Sequence, residues 1–482
     1  MCRRPAYLRG KARGRDLALS GITDTIGRTI EGLAQPFSDP VIRLGVTGLS
    51  RAGKTVFITA LVANLMDRGR MPALRAAAEG RILSAFLQPQ PDDTVPRFDY
   101  EAHLAALTGP EPHWPESTRA VSELRLSFRL REAGLLGSVR GPRTLHLDIV
   151  DYPGEWLLDL GLIGRGYGDW AAEVLGRIAG RAEAAGYLAA LQGVEGAAPH
   201  DEAVARRLAE AFAQYLRAAR AAGYSDCTPG RFLLPGELAG SPALTFAPLP
   251  GGAAPRGTLR REMERRFDAY KEKVVKPFFR DHFARIDRQV VLVDALGAIH
   301  AGPKAVEDMR AAMTEILAAF RPGKVGWLMG LLGVRRVERI LFAATKADHL
   351  HHSQHMRLTA IMAALVREAK DRADFAGADT AAMSIAALRA TVEETVSHEG
   401  RTLEAVRGRL LETGREATFY AGELPQNPAE ILAPARQGAS GWLDADYRVM
   451  GFAPARLRLK PGEGPPHIRL DRAAEFLIGD RL

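Results

Sequence analysis

The stretch Gly48-Leu49-Ser50-Arg51-Ala52-Gly53-Lys54-Thr55 decides the fold class. It fits the pattern G-x-x-x-x-G-K-[ST], a loop that wraps the phosphates of a nucleotide. The apolar run Val41–Thr47 before it predicts a buried strand, and Val56–Leu65 after it predicts a helix. A strand, loop and helix in this order direct several backbone N–H groups and a helix N-terminus at one anion. An ordinary glycine-rich turn before a helix is the alternative.

Each residue type in this loop has a predicted role. Glycines at both ends let the backbone curl around phosphates, where side chains would obstruct it. Lys54 would bridge the β- and γ-phosphates, and the Thr55 hydroxyl would hold Mg²⁺. The predicted phosphate-binding residues are Gly48, Ser50, Arg51, Ala52, Gly53, Lys54 and Thr55.

A second motif follows another predicted strand, Thr144–Val150. Asp151-Tyr152-Pro153-Gly154 fits D-x-x-G, in which the aspartate reaches Mg²⁺ and the glycine N–H reaches the γ-phosphate. This arrangement lets the following loop respond to hydrolysis. Asp-x-Pro-Gly is also a common turn, so the motif carries weight mainly because a phosphate loop precedes it.

A third motif, Thr345-Lys346-Ala347-Asp348, ends the predicted strand Val337–Ala344. It fits [NT]-K-x-D, in which the carboxylate accepts hydrogen bonds from N1–H and the 2-amino group of guanine, while the lysine stem packs along the base. Adenine lacks both donors, so it would leave this buried carboxylate unpaired. The motif therefore predicts guanine selectivity, whereas in isolation it would be a helix cap.

Two further elements are expected, and their register is open. A backbone N–H that reads guanine O6 should follow the next strand, and Ala386 is the candidate there. A threonine that closes over Mg²⁺ and the γ-phosphate should lie between Thr55 and Asp151. Thr118 is the best candidate, the alternative being an ordinary loop threonine.

Several blocks together resemble the YcjX family of bacterial Ras-like GTPases. The resemblance implies a Ras-like core with added helical and C-terminal parts, binding of GTP and GDP, and a link to stress responses. Family members are often encoded beside a membrane protein, which points to a protein partner without identifying it. The blocks are Gly48–Thr55, Trp114–Thr118, Asp151–Trp156, Arg231–Leu238, Lys276–Phe283, Phe342–His349, and a tail of Pro466–Asp471 with Phe476–Asp480.

The expected reaction is GTP + H₂O → GDP + phosphate. Glu155 stands where Ras-like proteins place the glutamine that orients the attacking water. A carboxylate accepts from water but cannot donate, so we expect slow intrinsic hydrolysis, unless Glu155 is only a solvated loop residue. Arg51, by analogy with the guanylate-binding large GTPases, is a candidate internal arginine finger, the alternative being a solvent-facing or ion-paired side chain.

Composition limits the other function classes. The chain has 482 residues, a formal charge of +8 and a pI near 9.6, which favours acidic partners. No recognised nucleic-acid-reading motif is visible, so no specific nucleic-acid binding is expected. Its two cysteines, Cys2 and Cys227, cannot build a disulfide framework, and no apolar run reaches 18 residues. We therefore expect a cytoplasmic protein, with contact to the face of the inner membrane as a second interpretation.

The predicted fold class is α/β: a Ras-like P-loop NTPase core with a doubly wound, mainly parallel sheet, a large helical insertion and a C-terminal α+β extension. The apolar run Val325–Val334 would either pack in the core or insert into a membrane face or partner groove. The predicted divisions are a basic arm with an amphipathic helix over 1–36, the first part of the core over 37–155 with a switch insertion at about 71–120, a helical insertion over 156–288, the second part of the core over 289–400, and an extension over 401–482.

Two alternatives to a GTPase switch follow from the same motifs. An ATPase of the same P-loop class would bind ADP as well as GDP. A nucleotide-binding scaffold with negligible turnover would bind GTP but hardly hydrolyse it, as Glu155 suggests. The expected ligands are GTP or GDP with Mg²⁺.

Overall fold

A seven-stranded sheet forms the centre of this computed structural model, in the order β2-β3-β4-β1-β5-β6-β7. The structure describes residues 39–482 except 49–51, 117–119, 132–140, 223, 225, 319–336, 376 and 438–450. The strands are β1 Val41–Gly48, β2 Ile82–Gln88, β3 Ser122–Leu130, β4 Arg143–Asp151, β5 Arg288–Val293, β6 Arg339–Ala344 and β7 Asp379–Ser384.

Five neighbouring strands, β4, β1, β5, β6 and β7, run parallel, while β2 and β3 are antiparallel additions beside β4. The mixed α/β architecture with a mostly parallel sheet is consistent with a P-loop NTPase. The chain leaves β1 toward β4 and later returns to its other side with β5, so the strand order reverses at β1. Ligands of open α/β sheets bind at the carboxyl ends of the strands beside such a reversal.

Helices connect the strands and flank the sheet. In chain order they are α1 Lys54–Met66, α2 Arg75–Ala78, α3 Tyr100–Thr108, α4 Gly154–Leu158, α5 Tyr167–Ile178, α6 Ala185–Leu191, α7 Glu202–Ala221, α8 Gly230–Leu233, α9 Leu259–Tyr270, α10 Lys276–Asp281, α11 Ala295–Ala301, α12 Pro303–Ala318, α13 His355–Leu365, α14 Arg367–Phe375, α15 Ala429–Gln437 and α16 Leu470–Ile478.

Alternate residues of the parallel strands feed two separate apolar cores. In β5, Val290 and Leu292 pack with α1 and α16, whereas Val291 and Val293 pack with the helices that follow β4 and β5. Successive side chains of a strand point to opposite faces, so each core covers one face of the sheet. The fully buried strand β5 therefore carries apolar residues on both faces.

A second, three-stranded antiparallel sheet follows β7, in the order β10-β9-β8. It comprises β8 Thr391–His398, β9 Arg401–Arg409 and β10 Glu416–Phe419. Because β8 pairs with β9 along its whole length, the predicted division between residues 400 and 401 falls inside the β8–β9 hairpin.

Two of the predicted divisions contain features that local patterns in the sequence do not indicate. The predicted switch insertion contains β2, on the edge of the central sheet. In the predicted helical insertion, the alanine-rich run Ala171–Leu191 is not one helix, because it is broken after Ile178, where Arg181 turns inward to pair with Asp226 and Asp308. Residues Glu202–Ala221 of the same insertion form α7.

Two predicted features lie outside the described residues, namely the arm and helix of residues 1–36 and the apolar run 325–334. Residues Val41–Leu482 form one unit of the chain and Met1–Pro40 another. Within the part of the chain that the structure describes, no helix combines the length and apolarity that crossing a membrane requires.

Candidate nucleotide-binding site

A cavity of about 370 Å³ opens at the carboxyl edge of the central sheet. Segments far apart in the chain converge there because parallel strands end at a common edge. Its lining residues are Ala52–Phe57, Trp114, Pro115, Thr345, Lys346, Asp348, His349, Ala386–Leu388, Leu411, Gly451 and Phe452. The cavity thus brings together the predicted phosphate loop, the Thr-Lys-Ala-Asp motif and the loop after β7.

The described part of the phosphate loop has the backbone that the motif requires. A Cβ at Gly48 would lie 2.8 Å from the Leu292 carbonyl oxygen, so only glycine fits where β1 meets β5. Gly53 has a φ of 80°, in the left-handed region that favours glycine, and it precedes the first turn of α1. Lys54 Nζ donates to the Gly48 carbonyl at 3.4 Å, which folds this side chain back over the loop. Ser50 and Arg51 lie outside the described residues.

The predicted magnesium ligands sit on adjacent elements. Asp151 ends β4, and its register partner on β1 is Val46, close to the start of the phosphate loop. Thr55 lies in the first turn of α1, and both side chains are buried. A hydroxyl and a carboxylate are the hard oxygen donors that Mg²⁺ prefers, so the donor chemistry fits this ion. Thr118, the third predicted ligand, lies outside the described residues.

The Thr-Lys-Ala-Asp motif directly follows β6 and is held by the neighbouring strands. The Thr345 N–H donates to the Val293 carbonyl at 2.9 Å, and the Ala347 N–H donates to the Ile385 carbonyl at 3.0 Å. Lys346 has a φ of 60°, a conformation that residues other than glycine rarely adopt. Its Nζ forms an ion pair with Asp294, at the end of β5.

Asp348 is 4% exposed and lines the cavity. Its Oδ2 accepts a hydrogen bond from the Ala390 N–H at 2.8 Å. The same residue's carbonyl oxygen accepts from the Thr391 hydroxyl. These contacts fix the motif against the start of β8 and hold the carboxylate at the cavity wall.

The loop after β7 corrects one prediction. Ala386 lines the cavity, but its N–H donates to the Ile468 carbonyl at 3.1 Å, and the Ile468 N–H returns a bond of 2.8 Å to Ala386. The Ala386 N–H is therefore committed to the chain before α16, and the predicted contact with guanine O6 was in the wrong register. Ala387 is the next residue along the cavity wall.

Gly154 and Glu155 begin α4, and neither is among the residues that line the cavity. Glu155 is 4% exposed, and its Oε1 lies 2.9 Å from Arg220 Nη2 on α7. A Cβ at Gly230 would overlap the Glu155 carbonyl oxygen, so α8 also presses on this residue. Glu155 is thus neither a solvated loop residue nor a group aimed into the cavity, and this arrangement gives its water-orienting role no support.

The cavity wall includes residues for which the sequence predicted no binding role. Trp114 and His349 lie in blocks that resemble the family, but neither was assigned a function. Leu411, Gly451 and Phe452 had no role, and no local pattern marks them, because they reach the cavity from the distant C-terminal part of the chain.

A second cluster of metal-binding residue types, His351, His352 and Glu393, lies beside the small sheet. Its members already pair with carboxylates: His352 Nδ1 lies 2.6 Å from Glu393, and His351 Nδ1 lies 3.2 Å from Glu404. These ion pairs account for the cluster and tie the segment after Asp348 to β8 and β9.

Comparisons with known proteins identify the family of this chain. The model of the YcjX-like family, DUF463, matches residues 42–482. This chain belongs to the YcjX-like family. A relative in Escherichia coli (strain K12), Ras-like GTPase YcjX, is 39% identical over 460 residues, covering 92% of this chain and 96% of the relative. A protein of the same name in Shewanella oneidensis (strain MR-1) is 37% identical over 494 residues, covering 97% and 99%.

Membership of the YcjX-like family confirms the resemblance drawn from the sequence blocks. The matched residues 42–482 include both walls of the cavity, from the phosphate loop to Phe452. The names of the two relatives support a GTPase-like role for this member of the family.

Proposed function

We propose that this protein binds GTP and GDP in the cavity at the carboxyl edge of the sheet and hydrolyses GTP to GDP and phosphate. One observation carries the proposal: Lys54 and Thr55 line the same cavity as Lys346 and Asp348. A nucleotide has a phosphate end and a base end, and one cavity offers a group suited to each. The names of the two relatives, both Ras-like GTPases, support the same conclusion.

Asp348 would select the base. Its Oδ2 accepts from the Ala390 N–H, which orients the carboxylate so that its other oxygen is available to the donor edge of guanine. Adenine presents no matching pair of donors and would leave the carboxylate desolvated without a partner. An Ala387 N–H that reads guanine O6 would complete the selection, and it replaces Ala386 in that proposed role.

At the phosphate end, the chain supplies position and positive charge. Lys54 and the N–H groups that begin α1 would hold the β- and γ-phosphates in line for attack by water. Mg²⁺, when bound, neutralises further phosphate charge, and the Thr55 hydroxyl and the Asp151 carboxylate would hold it. Arg51 and Thr118 keep their predicted roles as arginine finger and closing threonine within this proposal.

Slow turnover is the second candidate, and the position of Glu155 favours it. With its carboxylate paired to Arg220, Glu155 is not available to orient water. A nucleotide-binding scaffold with little hydrolysis would have the same cavity. The same ion pair joins the segment after Asp151 and Gly154 to helix α7, which gives the nucleotide state a route to move residues 156–287 against a protein partner.

Calorimetry with GDP, GTP, ADP and ATP in the presence of Mg²⁺ tests the base selection. The expected result is binding of both guanine nucleotides at least about 100-fold tighter than the adenine nucleotides. Equal affinities for GDP and ADP would favour the ATPase alternative. Phosphate release with and without Lys54→Ala then tests turnover, and equal release from both proteins would leave only the scaffold.

A further inference from the structure

Part of the cavity wall comes from the C-terminal half of the chain, outside the parallel sheet. Leu411, Gly451 and Phe452, here named the C-terminal wall, line the same cavity as Lys54 and Asp348. The Phe452 ring meets the His349 ring edge-on, with centroids 5.2 Å apart and planes at 89°. His349 directly follows Asp348, so this wall touches the predicted base-reading motif.

Phe452 is fixed in place by the small sheet. It is 2% exposed and packs in one apolar cluster with Val406 and Phe419. A Cβ at Gly408 would lie 2.7 Å from Phe452 Cδ1, so β9 needs glycine where the ring passes. The ring therefore cannot swing away from the cavity without disrupting β9, and it forms a rigid wall.

Hydrogen bonds join the same wall to the segment that precedes Thr118. The Trp114 indole Nε1–H donates to the Phe452 carbonyl oxygen at 2.7 Å. The Arg409 guanidinium donates to the Pro112 carbonyl at 2.8 Å and to the Pro454 carbonyl at 3.0 Å. Two separate bridges thus join residues 112–115 to residues 452–454 and β9.

These contacts join two parts of the cavity wall that are distant in the chain. Trp114 and Pro115 line the cavity themselves, and they precede the predicted closing threonine by only a few positions. A nucleoside that fills the cavity would press on Phe452 and Trp114 together. Any displacement of residues 112–115 would have to break the bridges to the C-terminal wall.

We propose that Phe452 and Trp114 are positioning residues for the nucleoside half of a guanine nucleotide, and that the Trp114–Phe452 bond couples an occupied base pocket to the segment before Thr118. This inference rests on the proposed function, because it assumes that the base lies at Asp348. It adds the C-terminal wall to the site and a link between base binding and the predicted switch segment.

The test compares two variants of the full chain, Phe452→Leu and Trp114→Phe, with Val392→Ala as a control on the exposed face of β8. Phe452→Leu keeps an apolar side chain but loses the ring, and GDP affinity should fall about three- to tenfold. Trp114→Phe keeps a ring but removes the indole donor, with an expected loss of a similar size. Inorganic triphosphate, used as a competitor of GDP, should bind both variants as it binds the wild type.

Tryptophan emission supplies a readout that a merely structural role would not move. GDP should change the emission of the wild type, and Phe452→Leu should reduce that change at a temperature where the variant, like Val392→Ala, remains folded. If Phe452→Leu fails to fold, Trp114→Phe decides the matter alone through GDP affinity.

The proposed function and the role of the C-terminal wall can fail separately. A wild type that prefers ADP to GDP, or binds neither, contradicts the proposed function. A wild type that binds GDP selectively, with unchanged affinity in both folded variants, overturns only the role of the C-terminal wall. Equal losses for GDP and inorganic triphosphate would also overturn it, because they would indicate a general loosening of the site.

Discussion

The carboxyl edge of the sheet and the helical segment 156–287 are built on different principles. At the edge, short motifs place Lys54 after β1, Asp151 at the end of β4 and Asp348 after β6, and backbone hydrogen bonds hold the Thr-Lys-Ala-Asp motif there. In the helical segment, aromatic packing and buried ion pairs join residues that are distant in the chain, such as Trp170 with Phe267. The edge holds the residues of the proposed nucleotide site, whereas the helical segment holds the packing contacts and ion pairs.

The two regions meet at Glu155 and Asp159. Glu155 belongs to the edge by sequence, because it follows Asp151 and Gly154, but by contact it belongs to the helical segment through Arg220. Asp159, one turn later, accepts from the Gly230 N–H at 2.8 Å and from the Tyr270 hydroxyl at 2.5 Å. A motif position therefore identifies a chain segment, but its packing partners decide what the side chain can do.

The largest expected effect tests the aromatic packing of the helical segment. Trp170 is 1% exposed and stacks on Phe267 with ring centroids 4.8 Å apart. Trp170→Ala should destabilise the helical segment by about 3–5 kcal/mol, because it leaves a large cavity. Thermal unfolding should show this loss, whereas Met356→Ala, at an exposed position, should stay within about 0.5 kcal/mol of the wild type. Equal melting temperatures for the two variants would contradict the packing role.

At the edge, Lys54→Ala should leave the fold intact and weaken nucleotide binding. Its ammonium is the one that the phosphate loop presents to the cavity, so GDP affinity should fall roughly 10- to 100-fold. Calorimetry measures this loss, and the melting temperature without nucleotide serves as the control. An unchanged GDP affinity would place the phosphates elsewhere.

The Glu155–Arg220 ion pair joins the two regions, and its contribution to stability can be measured. Arg220→Ala leaves a buried carboxylate without its partner, so we expect a loss of about 2–3 kcal/mol, less than for a fully buried pair because Arg220 is 26% exposed. The double variant with Glu155→Ala should recover part of this loss in thermal unfolding. If Glu155→Ala instead lowers kcat far more than Arg220→Ala does, Glu155 acts in catalysis rather than as this latch.

Asp159 offers a pH-dependent effect. Burial raises the pKa of this carboxyl from 3.8 to about 7. The folded state then holds a proton that the unfolded state releases, so stability falls as pH rises from about 4 to about 7, by at most about 1.4 kcal/mol per pH unit. Relative to Asp159→Asn, the wild type should lose melting temperature between pH 5 and pH 8. A pH-independent difference would contradict a raised pKa.

Local patterns in the sequence predicted the edge of the sheet well. The predicted strands at 41–47, 144–150 and 337–344 correspond to β1, β4 and β6. Buried parallel strands are short apolar runs with turn residues at both ends, and both signals are local. Because their motifs follow parallel strands, Lys54 and Asp348 lie at one edge of the sheet and line one cavity.

What the sequence did not reveal depends on long-range contacts. The alanine-rich run 171–191 has continuous helical spacing, and its break follows from the pairing of Arg181 with Asp226 and Asp308. Ala386 was the wrong residue for the predicted contact with guanine O6, because its N–H donates to the Ile468 carbonyl. Phe452 likewise reaches the cavity through the small sheet, and no nearby residue marks that path.

The substitution Asp348→Asn tests the central claim most directly. Its amide oxygen can still accept from the Ala390 N–H, as Asp348 Oδ2 does, so the amide NH₂ would face the base. That donor suits the 2-oxo group of xanthine and repels the 2-amino group of guanine. The account predicts that calorimetry finds GDP binding weakened at least about 100-fold and XDP binding tighter than to the wild type. Unchanged GDP affinity, with no gain for XDP, would contradict it.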